Sequence, residues 1–393
     1  MNIVILGAGQ AAASLAAKLR ALGHQGPVTV IGDEPAPPYQ RPPLSKAYLL
    51  GQMGLDRLTL RAPEWWDEQA IVVHLGEPVR RIDRDRKRVL TDRGEYAYDQ
   101  LALTLGATPR RLPEAMGGAL PGVHVVRNIS DIAALQPALR PGRRLVVIGG
   151  GYIGLEAAAV ARKLGLDVTL VEAAPRILGR VAAAETADMI RDLHRGHGVM
   201  VIEGVGIARI TGTEAADGVD LADGRHLPAD LVICGIGVAP ETALAEAAGL
   251  ALDNGIAVDA QGRSSDPAIW AAGDCASFPT PDGRLRLESV GNAIDMAEAV
   301  AANMLGAARD YVPRPWFWSD QFEAKLQIAG LNIGYDRVVT RPGSVWYYRG
   351  GRLIAVDALN DPRAYMIGKR LIEAGRSPTP EALAEATDLK ALL

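Results

Sequence analysis

Two short apolar runs, Ile3-Val4-Ile5-Leu6 and Leu145-Val146-Val147-Ile148, each stop at a glycine and give way to an alanine-rich stretch with helical spacing. Neither run alternates polar with apolar, so each predicts a strand covered on both faces, as in a parallel sheet between helices. Helical patterns over residues 14–22 and 155–164 lead to further strands at residues 27–31 and 168–171. Strand–helix–strand alternation of this kind predicts two doubly wound α/β units. The pattern changes after Pro313. Aromatic and β-branched runs (Trp316-Phe317-Trp318 and Ser344-Val345-Trp346-Tyr347-Tyr348), separated by Gly/Asp turns, predict an antiparallel sheet capped by a terminal helix around residues 366–374. The expected fold class is therefore α/β, with a C-terminal α+β domain.

The residues at the two strand ends are Gly7-Ala8-Gly9-Gln10-Ala11-Ala12 and Gly149-Gly150-Gly151-Tyr152-Ile153-Gly154. The first glycine of each permits a tight turn, and the second lets a pyrophosphate approach the backbone. The last position, Ala12 or Gly154, keeps helix and strand close. The helix N-terminus adds unpaired N–H groups and a positive dipole end. One such signature is weak evidence, but two in strand–turn–helix context predict two Rossmann-like dinucleotide sites, and hence redox chemistry. They lie 142 residues apart, more than one βαβ unit needs.

The rest of the composition narrows the class. A chain of 393 residues with 48% apolar content supports two or three cores. A net charge of −4 and a pI near 5.9 argue against a nucleic-acid binder. No apolar run reaches the roughly eighteen residues a membrane span needs, and the first strand begins at once, so a cytoplasmic protein without a signal peptide is expected; the sequence does not give the oligomeric state, for which a monomer is the expectation. Cys234 and Cys275 form no Cys-x-x-Cys pair, which disfavours a dithiol centre. Cys234 reads as a small buried hydrophobe. His194 and His197 lack a nearby third ligand, so no metal site is expected.

Acids close the second strand of each unit: Asp33 with Glu34, and Glu172. A carboxylate there accepts from an adenosine ribose and repels a 2′-phosphate. Ala173 and Ala174 follow Glu172 instead of arginines, so NADH is expected over NADPH. In Arg41-Pro42-Pro43-Leu44-Ser45-Lys46 the prolines predict a stiff extended segment that fixes Arg41 and Lys46. The apolar run Ile269-Trp270-Ala271-Ala272 ends in Gly273-Asp274, where ligands bind in open α/β sheets. Glu288-Ser289-Val290-Gly291-Asn292 then opens a helix predicted over residues 293–304, whose N-terminus could face an anionic cofactor.

Together these motifs resemble the NADH-dependent, FAD-containing ferredoxin reductases of bacterial oxygenase systems, of the putidaredoxin reductase and biphenyl dioxygenase reductase type. The resemblance runs over essentially the whole chain. It is carried by residues 41–46, 149–156 and 230–238, by Gly273-Asp274-Cys275, and most specifically by Pro315-Trp316-Phe317-Trp318-Ser319-Asp320-Gln321. It implies a glutathione-reductase-like arrangement. An FAD domain would comprise residues 1–108 and 235–313, an NADH domain 109–234 and a C-terminal α+β domain 314–393. It places FAD on Gly7, Gly9, Ala11, Ala12, Asp33, Arg41, Lys46, Val79, Arg127, Asp274 and Val290, with Asp274 on the ribityl chain. NADH would lie on Gly149, Gly151, Gly154, Glu172 and Gly237. Lys46 would stand near the flavin N5 and pair with Glu156, and Trp318 with the Ser319-Asp320-Gln321 backbone would wall the flavin from the third domain. Two positions depart from the pattern. Thr104-Leu105-Gly106-Ala107 stands where relatives read Ala-Thr-Gly-Ala, and Glu298 stands where some place a docking arginine.

The implied reaction is hydride transfer from NADH to FAD, then single-electron transfer to a [2Fe–2S] ferredoxin serving a haem monooxygenase or a Rieske dioxygenase. An acidic enzyme meeting an acidic carrier needs a local basic patch. Arg61, Lys325, Arg363, Lys369 and Arg370 are the candidates, while the run Arg84-Asp85-Arg86-Lys87-Arg88 reads as a solvated hairpin. Alternatives are an NADH:rubredoxin reductase, or a flavin-bound scaffold resembling apoptosis-inducing factor. A disulfide reductase or NADH oxidase would need a cysteine that residues 41–46 lack.

Overall fold

The computed structural model describes residues 1–393 and forms two compact units. The first comprises Met1–Gln40, Leu55–Thr108 and Ala239–Arg314; the second comprises Arg41–Gly54, Pro109–Val238 and Pro315–Leu393.

In the first unit a five-stranded parallel sheet runs in the order Ile269–Ala271, Gln100–Leu103, Ile3–Leu6, Val28–Ile31, Ile71–His74. Ile3–Leu6 is central and entirely buried, with Ile3 opposite both Val28 and Gln100. Layers on both faces account for the absence of polar alternation. Helix Gln10–Ala21 packs against helix Val290–Met304. Gly273 (φ 81°) lies between Ala11 and Ala293, and a Cβ there would stand only 3.1 Å from that of Ala11. An antiparallel meander (Val79–Asp83, Arg88–Thr91, Glu95–Ala97) carries the basic run at its first turn. Arg84 there pairs with Asp266 at 2.7 Å.

The second unit contains the same plan. Its parallel sheet runs Met200–Glu203, Asp167–Glu172, Arg144–Ile148, Leu231–Cys234, Val123–His124, beside a meander of Ile207–Thr211, Gly218–Leu221 and His226–Pro228. This unit also holds the expected C-terminal antiparallel sheet, in the order Trp316–Gln321, Ala324–Gly330, Arg352–Leu359, Ser344–Arg349, Arg337–Arg341. Helix Pro362–Glu373 covers that sheet. It begins four residues before the predicted position, because Asp361 caps it through Ala364 N and Pro362 suits the first turn. The helices Gln10–Ala21, Tyr152–Lys163 and Val290–Met304 likewise begin three or four residues early.

Candidate functional site

Both glycine signatures fold as the two-dinucleotide expectation requires. Gly7 (φ 96°) and Gly149 (φ 105°) adopt a backbone that side chains disfavour. A Cβ on them would lie 2.3 Å from Thr104 O and 2.4 Å from Gly235 O. A Cβ on Gly154 would meet Gly149 O at 2.1 Å, whereas the corresponding first-unit position holds the fully buried Ala12. Gly9 and Gly151 behave differently. Each is the N-cap of its helix with no side-chain cap, and a Cβ on either would meet nothing within 4 Å. Each turn thus opens a hollow faced by uncapped helical N–H groups, which suits a pyrophosphate. The Thr104 hydroxyl donates to Leu6 O at 2.9 Å and Gly7 O at 3.3 Å, so this departure from the family pattern braces the first turn.

The neighbouring strand ends bring most of the remaining residues alongside. In the first unit, exposed Asp33 follows Val28–Ile31 and Asp274 follows Ile269–Ala271, so both share the carboxyl edge of the sheet with Gly7 and Gly9. Glu34, beside Asp33, accepts from the Tyr39 hydroxyl at 2.6 Å. Val290 opens its helix behind the Ser289 cap. Val79 begins the meander, two residues after Glu77, whose N–H donates to Gly32 O at 2.9 Å beside the same edge. In the second unit Glu172 and Gly237 follow Asp167–Glu172 and Leu231–Cys234, next to Gly149. The Glu172 carboxylate accepts from Gly150 N and Ala174 N, each at 2.7 Å, which holds it over the glycine turn.

Residues 41–46 correct the sequence expectation of an extended segment. Pro42–Ser45 is a 3-10 turn, because proline's fixed φ suits a first helical turn as well as an extended chain. Arg41 donates to Arg127 O at 2.9 Å. The turn sets Ser45 and Lys46 side by side, facing Glu156 on helix Tyr152–Lys163. Lys46 Nζ lies 2.7 Å and Ser45 Oγ 2.6 Å from Glu156 Oε2, while Ser319 Oγ donates to Oε1 at 2.6 Å. Glu156 is only 1% exposed. Burial pushes its carboxyl above the usual range, against the downward pull of Lys46 and the two hydroxyls. The hydroxyls of Ser45 and Ser319 were not singled out by sequence. Their only signal was their place in the two motifs that carry the family resemblance.

Strand Trp316–Gln321 explains how Ser319 reaches Glu156. Side chains two apart share a face. Phe317 lies on the Tyr152 ring (centroids 4.7 Å apart), and Ser319 meets Glu156 one helical turn further on. Trp318, on the opposite face, is half-buried and stacks on Trp316 at 5.6 Å. Cys234 and Cys275 are 4% and 0% exposed, and burial pushes both thiols up to about 11, so neither offers a thiolate near neutral pH. Several candidate docking residues have partners: Arg363 pairs with Asp388 at 2.6 Å, and Lys369 with Glu373 at 3.9 Å. Glu298 pairs with Lys18 at 2.9 Å.

Residues 1–297 match the pyridine nucleotide-disulphide oxidoreductase family, and residues 316–393 match the reductase C-terminal family. The chain is 43% identical to rhodocoxin reductase of Rhodococcus erythropolis, over 99% of its own length and 94% of the relative's. It is also 43% identical to a ferredoxin–NAD(P)+ reductase of Sphingomonas, over 95% and 93% of the two chains. The crystal structure of the covalent putidaredoxin reductase–putidaredoxin complex superposes with a TM-score of 0.95 at 40% identity, covering 100% of this chain and 97% of that one. No helix is long and apolar enough to cross a membrane. With both glycine turns open, the Lys46–Glu156 pair formed and likeness sustained from end to end, the chain belongs to the pyridine nucleotide-disulphide oxidoreductase family, in the branch that carries a reductase C-terminal domain.

Proposed function

We propose that this protein is an NADH:ferredoxin oxidoreductase, which takes electrons from NADH through FAD and passes them singly to a [2Fe–2S] ferredoxin feeding an oxygenase. One observation carries the proposal: two open glycine turns stand in a chain whose cysteines are both buried. Two dinucleotides can bind, and no thiol pair is available to take the electrons onward, so they leave to an external carrier. The likeness to rhodocoxin reductase and to the complex of putidaredoxin reductase with putidaredoxin supports that destination.

FAD would be held by Gly7, Gly9, Ala11, Ala12, Asp33, Arg41, Lys46, Val79, Arg127, Asp274 and Val290, on a domain of residues 1–108 and 235–313. NADH would be held by Gly149, Gly151, Gly154, Glu172 and Gly237, on residues 109–234, with residues 314–393 as the third domain. The chemistry FAD supplies when bound is hydride acceptance from NADH and release of the two electrons one at a time.

The remaining tasks fall to the chain. Uncapped N–H groups after Gly151 bind the NADH pyrophosphate. Glu172, braced by Gly150 N and Ala174 N, keeps acceptor capacity for a ribose hydroxyl and repels a 2′-phosphate. Lys46 Nζ, held by Glu156 and by Pro42 O, offers a fixed positive charge where negative charge develops. Trp318 supplies an aromatic wall. The setting is cytoplasmic. Turnover with NADH that requires an added [2Fe–2S] ferredoxin supports the assignment, and reduction of peroxide or a disulfide at the same rate without ferredoxin contradicts it.

A further inference from the structure

The hydrogen-bond network around Glu156 continues beyond Ser319. Gln321 Nε2 donates to Ser319 Oγ at 3.0 Å, and Gln321 Oε1 lies 2.8 Å from His194 Nε2. His194, Gln321 and Ser319 are 0%, 1% and 0% exposed, and His194 Nδ1 has no hydrogen-bond partner. The chemistry of the groups sets the direction of every bond. An ionised Glu156 only accepts, so Ser319 donates to it and must itself accept from the Gln321 amide. That turns the Gln321 carbonyl toward His194, which must supply Nε2–H and leave Nδ1 bare.

We propose that His194, Gln321 and Ser319 form a one-way donor chain that keeps Glu156 ionised and aimed at Lys46, making them positioning residues of the hydride-transfer site. The proposal rests on Lys46 and Glu156 being the charged pair of that reaction. A hydrogen-bond chain that ends on an acceptor-only carboxylate takes a single direction. Here each donor points the same way, from helix Ala184–Gly196 through strand Trp316–Gln321 to helix Tyr152–Lys163. Burial also pushes His194 down to about 4, so its neutral form persists near neutral pH and the chain keeps its sense. The titratable groups that face Glu156 are Lys46 on the 3-10 turn and Tyr152 on its own helix, and His197 stands beside His194.

The test is infrared titration of the full FAD-loaded protein without NADH, with the carboxylic acid band of Glu156 identified by its loss in Glu156→Gln. Ser319→Ala should raise the pH at which that band appears by about one unit, since a donor to the charged form is lost. Gln321→Leu and His194→Leu should raise it progressively less. The acid limb of the NADH reduction rate should move with the band. Unchanged midpoints in both Ser319→Ala and Gln321→Leu, while Glu156→Gln slows NADH reduction, would overturn the donor chain alone. An unchanged NADH reduction rate in Glu156→Gln would instead overturn the assignment of the charged pair, and the proposal with it.

Discussion

Asp357 and His194 are buried groups whose charged forms are both disfavoured, yet they affect stability in opposite directions. Burial pushes Asp357 up to about 6, despite hydrogen bonds from the Tyr347 and Thr186 hydroxyls. Its contribution is therefore full below the ordinary carboxylate pKa and is lost as pH rises through 6. His194, pushed down to about 4, contributes fully above 6.5, and that contribution is lost as pH falls through 4. A shift of two units corresponds to roughly 3 kcal/mol for each group, so the two slopes oppose one another between pH 4 and 6. Glu156, also raised, adds to the Asp357 side. In denaturant titrations across that window, Asp357→Asn should tilt the stability profile upward with pH relative to wild type, and His194→Leu should tilt it downward. If both variants keep the wild-type pH profile, the burial argument is wrong.

At the scale of elements, the strand–turn–helix signature separates structural glycines from ligand-facing ones. Gly149→Ala places a side chain at positive φ and drives Cβ against Gly235 O, which should cost about 2 kcal/mol or more. Gly151→Ala meets only open space. It should keep the wild-type melting temperature while raising KM for NADH severalfold, and an unchanged KM would mean the hollow is not the nucleotide site. Lys46→Ala should slow reduction by NADH at least tenfold. It should also destabilise by about 3 kcal/mol at neutral pH, because it strands a buried carboxylate, and lowering the pH should restore part of that loss as Glu156 protonates. A reduction rate and stability equal to wild type would remove the pair from the reaction. The parallel strands were legible in sequence because strands covered on both faces show unbroken apolar runs. Helix starts were less so: Gly9 and Gly151 cap without a side-chain signal, which hid the true first turns. Pro42-Pro43 fits both an extended chain and a 3-10 turn, and local sequence does not choose between them. The environment of Glu156 was the least legible part, since its serine partners lie 111 and 163 residues away along the chain.

At the scale of the whole molecule, a chain of net charge −4 needs a local basic face to receive a ferredoxin expected to be acidic. Arg363 and Lys369 are partly neutralised by Asp388 and Glu373, while Lys325 and Arg370 are exposed. Ferredoxin-dependent turnover should weaken as salt rises, and the charge reversals Lys325→Glu and Arg370→Glu together should raise KM for ferredoxin severalfold. Turnover indifferent to both would rule out electrostatic docking at these residues. The central claim is the path of the electrons, and anaerobic stopped-flow mixing follows it most directly. NADH should bleach the bound flavin far faster than NADPH does, and the reduced protein should then reduce a [2Fe–2S] ferredoxin by one electron per encounter. Rapid flavin reduction followed by no transfer to any such ferredoxin, or equal rates with NADPH, would contradict the account.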